Sequence, residues 1–188
     1  MSIMLSGRSR PLGSGSMYPA GSVLDIQLAA MFASYKRNVA GAYTSVSLKS
    51  IAATIPDGKH IASTKIDGEQ WFLRKDDECT VLLSPNGKAI TGTHLHVMKE
   101  ANSLLHGWTG ILAGELYATV DVARPRVFDL HAAMGGGASA QVDRLRFAVF
   151  DILRDGDTDC QPLLFADRAT RIRELLTGVE LIHSVDFT

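Results

Sequence analysis

Apolar residues in this chain change their spacing partway along. Between residues 23 and 37, Leu24, Leu28, Met31, Phe32 and Tyr35 recur at helical intervals, which places them on one side of an amphipathic helix. Downstream the runs are short and bounded by turn formers, the mark of strands. Residues 59–65, Trp71-Phe72-Leu73 and residues 79–83 read as three of them. Pro56-Asp57-Gly58 is a turn before the first, and Pro85-Asn86-Gly87 closes a hairpin after the third. Thr93 reads as the N-cap of a helix that runs through Leu105 and ends at Gly107. Residues 111–118, 126–130, 145–153 and 179–185 read as further strands. Residues 165–176 read as an arginine-rich helix stopped by Gly178. The glycine-rich stretch 134–139 reads as a flexible hairpin connection.

Many short strands in antiparallel-looking succession, with a few helices between them, predict an α+β fold. With 188 residues, the chain suits one domain with a sizeable core. Residues 1–22 are rich in Ser and Gly, bury little, and read as a flexible segment; the predicted domain is 23–188. Hydrophobic residues make up 46% and charged residues 21%, which is ordinary for a soluble protein. A net charge of -1 excludes a whole-molecule basic field for nucleic acid. Arginines do gather locally, at Arg124 with Arg126, Arg144 with Arg146, and Arg168 with Arg171 and Arg173; such clusters are more often solvated faces than sites. Cys79 and Cys160 lack neighbours at metal-ligand spacing, which suits a reducing cytoplasm. No apolar run is long enough to cross a bilayer, and the N-terminus lacks the order of a signal peptide.

The chemistry concentrates in four segments taken in order. Thr64-Lys65-Ile66-Asp67-Gly68-Glu69 holds a K-x-D-G motif where a strand runs into a turn. Ser84-Pro85-Asn86-Gly87 is a turn. Ala113-Gly114-Glu115-Leu116 sits inside an apolar strand. Phe147-Ala148-Val149-Phe150-Asp151-Ile152-Leu153 is the last. Each residue has a plain alternative: a surface lysine beside a turn for Lys65, a strand-edge charge for Glu115, core packing for Phe150 and turn chemistry for Asp67. A glutamate flanked by Ile111-Leu112 and Leu116-Tyr117 is costly to bury without a partner, which favours function for Glu115.

The ordered set resembles the covalent nucleotidyltransferases, and within them the ATP-dependent polynucleotide ligases. K-x-D-G looks like their nucleophile motif, G-E-L like the motif whose glutamate holds the nucleotide ribose, and F-A-V-F-D-I-L like the motif whose aromatic stacks on adenine. Arg124-Pro125-Arg126-Val127-Phe128-Asp129 and the stretch from Gln161-Pro162-Leu163 through Arg168 and Arg171 resemble connecting segments of bacterial ligases. The resemblance spans residues 48–185 and implies an antiparallel-sheet, ATP-grasp-like adenylation domain. It implies Lys65 as the nucleophile that takes AMP from ATP, with Mg²⁺ as cofactor. Thr64, Ile66, Asp67, Gly68, Gln70, Glu115 and Phe150 would line the nucleotide pocket. The implied substrate is nicked DNA, with RNA as a possible replacement. The residue types suit this chemistry. A lysine attacks phosphorus only when deprotonated, against a free pKa near 10.4. The phosphate oxygens need cations around them. Ribose hydroxyls donate to a carboxylate, adenine takes an aromatic face, and Gly68 allows φ > 0 and close backbone approach.

Three departures bear on activity. Where the ligase pattern has an arginine two residues after the motif glycine, this chain has Gln70; where the next arginine follows a serine, it has Pro85. Arg74, Lys75 or Lys88 are the candidate replacements. The family's later glutamate-glycine and paired-lysine motifs and its oligonucleotide-binding domain have no match here, so the chain reads as the front part of an adenylation domain, incomplete at its C-terminus. The alternative function is therefore a catalytically incomplete ligase-like subunit that binds nucleotide or nucleic acid and needs a second polypeptide. A capping-type guanylyltransferase uses the same lysine, but nothing here selects guanine. No metal site is expected: His94 and His96 lack a third ligand, and Asp155, Asp157 and Asp159 lack a closing glutamate. Gly135-Gly136-Gly137 lacks the Lys-Ser or Lys-Thr of a P-loop.

Overall fold

A computed structural model of the chain describes residues 3–41, 46–47, 49–55, 58, 60–121, 123–178 and 180–187. In chain order the elements are β1 (Arg10–Leu12), β2 (Gly15–Tyr18), α1 (Ile26–Gly41), α2 (Ile51–Thr54), β3 (Glu69–Lys75), β4 (Thr80–Leu83), β5 (Ala89–Thr91), α3 (His96–Leu104), β6 (Gly110–Ala118), α4 (Val127–Ala133), β7 (Leu145–Asp155), β8 (Thr158–Asp159), α5 (Phe165–Leu175) and β9 (Ile182–Ser184). The strands form one sheet in the order β1-β2-β5-β4-β3-β6-β7-β8. Strand β9 lies along the early part of β7, and β8 along its far end. Pairing is antiparallel except between β7 and β9. The predicted α+β class and antiparallel sheet are therefore observed.

Alternation along the strands builds two cores. Trp71, Leu73, Leu112, Leu116, Phe147 and Val149 face α3, α4 and α5, meeting Met98 and Ala101, Leu130 and Ala133, and Ile172. Phe72, Leu83, Ile111, Ala113 and Leu153 face the other way, onto Leu28, Phe32 and Tyr35 of α1. Phe32 stacks on Phe72 with centroids 4.1 Å apart and planes 10° from parallel. Among the described residues, no helix is long and apolar enough to cross a membrane.

Several sequence expectations are corrected. Residues 10–18 carry the outer hairpin β1–β2 and pair with β5, where a flexible segment is predicted. Their composition is polar, but Leu12 is fully buried and Met17 nearly so, and two anchors on one side of a hairpin hold it to the core. The predicted strand 126–130 is the start of helix α4. Asp129 accepts a hydrogen bond from the Arg126 backbone at 2.8 Å and caps the first turn, while Leu130 and Ala133 at three-residue spacing face the core. The N-cap of α3 is Leu95, not Thr93, and it makes no side-chain cap. The glycine-rich stretch follows α4 rather than joining two strands, and Gly137–Ser139 form a 3₁₀ turn there. The predicted strand over residues 59–65 is, in its described part, an extended segment joined to the sheet by a bridge from Ser63 to Phe187. Pro56-Asp57 and the starts of the strands predicted at 59 and 179 lie outside the described residues.

Candidate active site

A cleft of about 1080 Å³ opens beside the middle of the sheet. Its walls come from the extended segment, β3, the β4–β5 turn, β6, β7, α5 and α1. Thr64, Lys65, Ile66, Gly68, Gln70, Glu115 and Phe150 all line it. Segments around Lys65, Glu115 and Phe150, far apart in sequence, thus meet at one cavity. Asp67 flanks the cleft without lining it, and its carboxylate lies 3.1 Å from Arg126.

Lys65 stands at the mouth. Its side chain is 79% exposed, with Nζ 3.9 Å from Asp67 Oδ1 and 3.4 Å from the Ile66 carbonyl oxygen. The segment meets the sheet on either side of it: Ser63 bridges Phe187, and the Gly68 amide donates to Glu115 Oε1 at 3.2 Å. Gly68 is required by crowding rather than by φ. It is not among the glycines with positive φ, but a Cβ there would overlap the Leu116 carbonyl oxygen. The expectation of φ > 0 is therefore corrected, while close backbone approach holds.

Glu115 lies on β6 opposite Gln70 of β3. Burial pushes its carboxyl above the usual glutamate range, against the pull of the Gly68 amide and the Lys65 charge. Gly114 before it passes so close to β7 that a Cβ would sit 2.6 Å from the Ala148 carbonyl oxygen, so the glycine lets the two central strands pair.

Phe150 reaches the cleft because β7 bulges. Gly114 pairs with Val149 but Ala113 pairs with Asp151, and Phe150 is the extra residue between them. Regular alternation would send Phe150 and Asp151 to opposite sides; after the bulge both line the cavity. Asp151 is buried and ties three elements together. It accepts from Tyr35 Oη of α1 at 2.7 Å and from Arg168 Nε of α5 at 2.7 Å. It also accepts from the Ile152 amide at 2.9 Å. The sequence presents Arg168 and Asp151 only as members of motifs, and Tyr35 only as part of an amphipathic helix. An aspartate within an apolar strand is the signal that points to them, since a buried carboxylate requires a partner.

Of the candidate replacements for the missing arginines, only Lys88 lines the cleft. Arg74 pairs with Asp76 at 3.2 Å, and Lys75 is buried beside a separate cavity of about 490 Å³. The Ser84-Pro85-Asn86 turn lines the cleft with Lys88. The Gln70 amide nitrogen is buried there without an acceptor among the described residues. His94 and His96 do not line the cleft. Among the described residues, no group of three or more His, Cys, Asp or Glu side chains is arranged to hold a metal ion.

A largely antiparallel sheet thus lies between helical layers, and a lysine, a glutamate and an aromatic from separate segments meet at one cleft beside it. The profile of the ATP dependent DNA ligase domain matches residues 39–186, and the chain belongs to that family. Among the solved structures that share its fold are two of ligase D. One is a mycobacterial DNA ligase D complexed with ATP and MES, 16% identical, with a TM-score of 0.52 over 68% of this chain and 39% of that one. The other is the ligase domain of M. tuberculosis LigD, 18% identical, with a TM-score of 0.53 over 66% of this chain and 38% of that one. The chain thus spans about two fifths of the length of these ligases. No curated protein matches it by sequence.

Proposed function

We propose that this chain carries the adenylation chemistry of a polynucleotide ligase, with Lys65 as the nucleophile. The observation that carries the reading is the convergence of Lys65, Glu115 and Phe150, from three distant segments, on one cleft large enough for a nucleotide. Family membership supports it, and so does the likeness in fold to a DNA ligase D complexed with ATP.

In this reading the Lys65 amine loses its proton and attacks the α-phosphorus of ATP. A P–N bond forms, the α–β phosphoanhydride breaks, and pyrophosphate leaves with the bonding electrons. The adenylate then passes to the 5′-phosphate of a nicked strand. A 3′-hydroxyl displaces AMP and closes the phosphodiester. Glu115 accepts from the ribose hydroxyls, which reward its buried carboxylate, and Phe150 offers a ring face to adenine. Lys88 supplies positive charge to the cleft, where the charge of Arg168 is shared with buried Asp151. Mg²⁺ bound together with ATP would neutralise phosphate charge. DNA is the polynucleotide favoured by the family. The cytoplasm suits the free Cys79 and Cys160.

A second reading is favoured by Gln70, whose buried amide nitrogen lacks an acceptor among the described residues and brings no charge. Here the chain binds nucleotide or nucleic acid and needs another polypeptide for catalysis. One experiment separates the two. The chain is incubated with Mg²⁺ and α-labelled ATP and assayed for covalent label. Label that disappears in Lys65→Ala is the expected result. Absence of label in the native chain, restored by adding the rest of a ligase in trans, would favour the second reading.

A further inference from the structure

The Lys65 segment is held from outside the sheet by two arginines that precede α4. Arg124 Nη2 donates to the Lys65 carbonyl oxygen at 2.6 Å. Arg126 Nη1 lies 3.1 Å from Asp67 Oδ2, and Lys65 Nζ lies 3.9 Å from Asp67 Oδ1. Two cations thus share one carboxylate, and the arginine is the nearer. We propose that Arg126 is a positioning residue for Lys65: it holds Asp67, and together with Arg124 it presents the amine to the cleft and offsets the aspartate charge beside it. The proposal rests on the reading of Lys65 as the nucleophile.

The support runs from the core outward. Leu130 and Ala133 anchor α4 against the sheet. Asp129 in its first turn accepts from the Arg126 amide and fixes the backbone of that residue. Arg126 reaches back to Asp67, two residues beyond the lysine. The Thr64 amide donates to the Asp186 carbonyl oxygen at 3.4 Å; from there to the Gly68–Glu115 hydrogen bond, residues 65–67 belong to no strand, and side-chain contacts help to define where the lysine stands.

The electrostatics act in the same direction. A lone carboxylate beside a lysine stabilises the ammonium, which cannot attack phosphorus. An arginine stays charged throughout the working pH range, so its hold on Asp67 persists. The other charged side chains lining the cleft are Glu115 of β6, Glu69 of β3, Lys88 of the β4–β5 turn, Asp151 of β7 and Arg168 of α5. Glu69 is bound to His131 of α4 at 2.6 Å and to Trp71 at 3.2 Å; Arg168 is bound to Asp151. The Arg126–Asp67 pair is partly exposed, with side chains 54% and 32% accessible. It therefore contributes little to stability, which separates a positioning role from a structural one.

Two measurements on the full chain test this. The first is the rate of label transfer from α-labelled ATP across pH for the native chain, Arg126→Ala and Arg126→Lys. Expected at pH 7 is a loss of about tenfold or more in Arg126→Ala. The KM for ATP and the melting temperature should stay nearly unchanged, the deficit should narrow as pH rises, and Arg126→Lys should recover most of the rate. A native rate in Arg126→Ala, or a deficit independent of pH and unrelieved by lysine, overturns the proposal. The second measurement does not depend on turnover. The chain is labelled with ¹³C at the lysine ε-carbon, and the Lys65 resonance is assigned by its loss in Lys65→Ala and followed by NMR at pH 7. The Lys65 resonance should shift or change width in Arg126→Ala relative to the native chain, and identical spectra overturn the proposal. Failure of the native chain to take label would sink the ligase reading, while the spectra would still decide the role of Arg126.

Discussion

Glu115 shows how one side chain can sit at a cost to the fold while suiting a ligand. Its carboxyl is raised above the usual range chiefly by burial, so the folded state binds its proton more tightly than the unfolded state does. Stability from this group is then highest in acid and falls as pH rises from the ordinary glutamate pKa through the raised one. Glu115→Gln keeps the oxygen that receives the Gly68 amide and removes the charge. It should raise the melting temperature at pH 7 by a few degrees, with the gain vanishing below about pH 4, where the native residue is also neutral. The same variant should weaken ATP binding by about tenfold, because the ribose hydroxyls lose a charged acceptor. Thermal scans at the two pH values, with titration of ATP, check both parts. A loss of stability at pH 7 would show that the carboxylate is satisfied within the fold.

At the level of elements, the bulge in β7 and the Asp151 cluster work together. The bulge turns Phe150 and Asp151 to the same side, and Asp151 then bonds α1 and α5 to the sheet through Tyr35 and Arg168. Asp151 has a side chain only 8% accessible. Removing its arginine leaves a buried carboxylate with one neutral donor side chain. Arg168→Ala should therefore cost about 3 kcal/mol or more, read as a lowered midpoint in urea. A cost below about 1 kcal/mol would mean that water replaces the guanidinium at no penalty. Asp155, bound by Arg171 and Trp108 further along β7, is held below the usual aspartate range, first by the Arg171 hydrogen bond. Its contribution is present above the ordinary aspartate pKa and is lost as pH falls through the lowered one.

Over the whole molecule, the cleft depends on chain that precedes the family match. That match begins at residue 39, whereas the helix covering one side of the sheet begins at Ile26 and supplies Phe32 and Tyr35. Without it, fully buried Phe72, Leu83 and Ala113 would face water, and Asp151 would lose Tyr35. A fragment starting at residue 39 should lose cooperative urea unfolding and bind a hydrophobic dye, while the full chain does neither. A fragment that unfolds cooperatively with the native midpoint would show that α1 is dispensable to the core.

Periodicity and motif order together are enough to place the chain in its family and to gather most of the site. Helix α1, the β4–β5 hairpin and strands β6 and β7 follow from apolar spacing, because one side of each must leave water. Lys65, Gly68, Gln70, Glu115 and Phe150 are legible as motif members and share the cleft. The short elements are less legible. Two buried residues hold β1–β2 within a polar stretch, and 126–130 carries too few residues to separate strand from helix until Asp129 caps it. Local sequence set which groups are present and the period on which they recur. Tertiary structure alone decided that a bulge faces Phe150 and Asp151 to one cavity, that Tyr35 and Arg168 meet there, and that Arg126 stands 59 residues along the chain from the Asp67 carboxylate it binds. Those contacts depend on strand register and helix packing, which are fixed by long-range burial rather than by neighbouring residues.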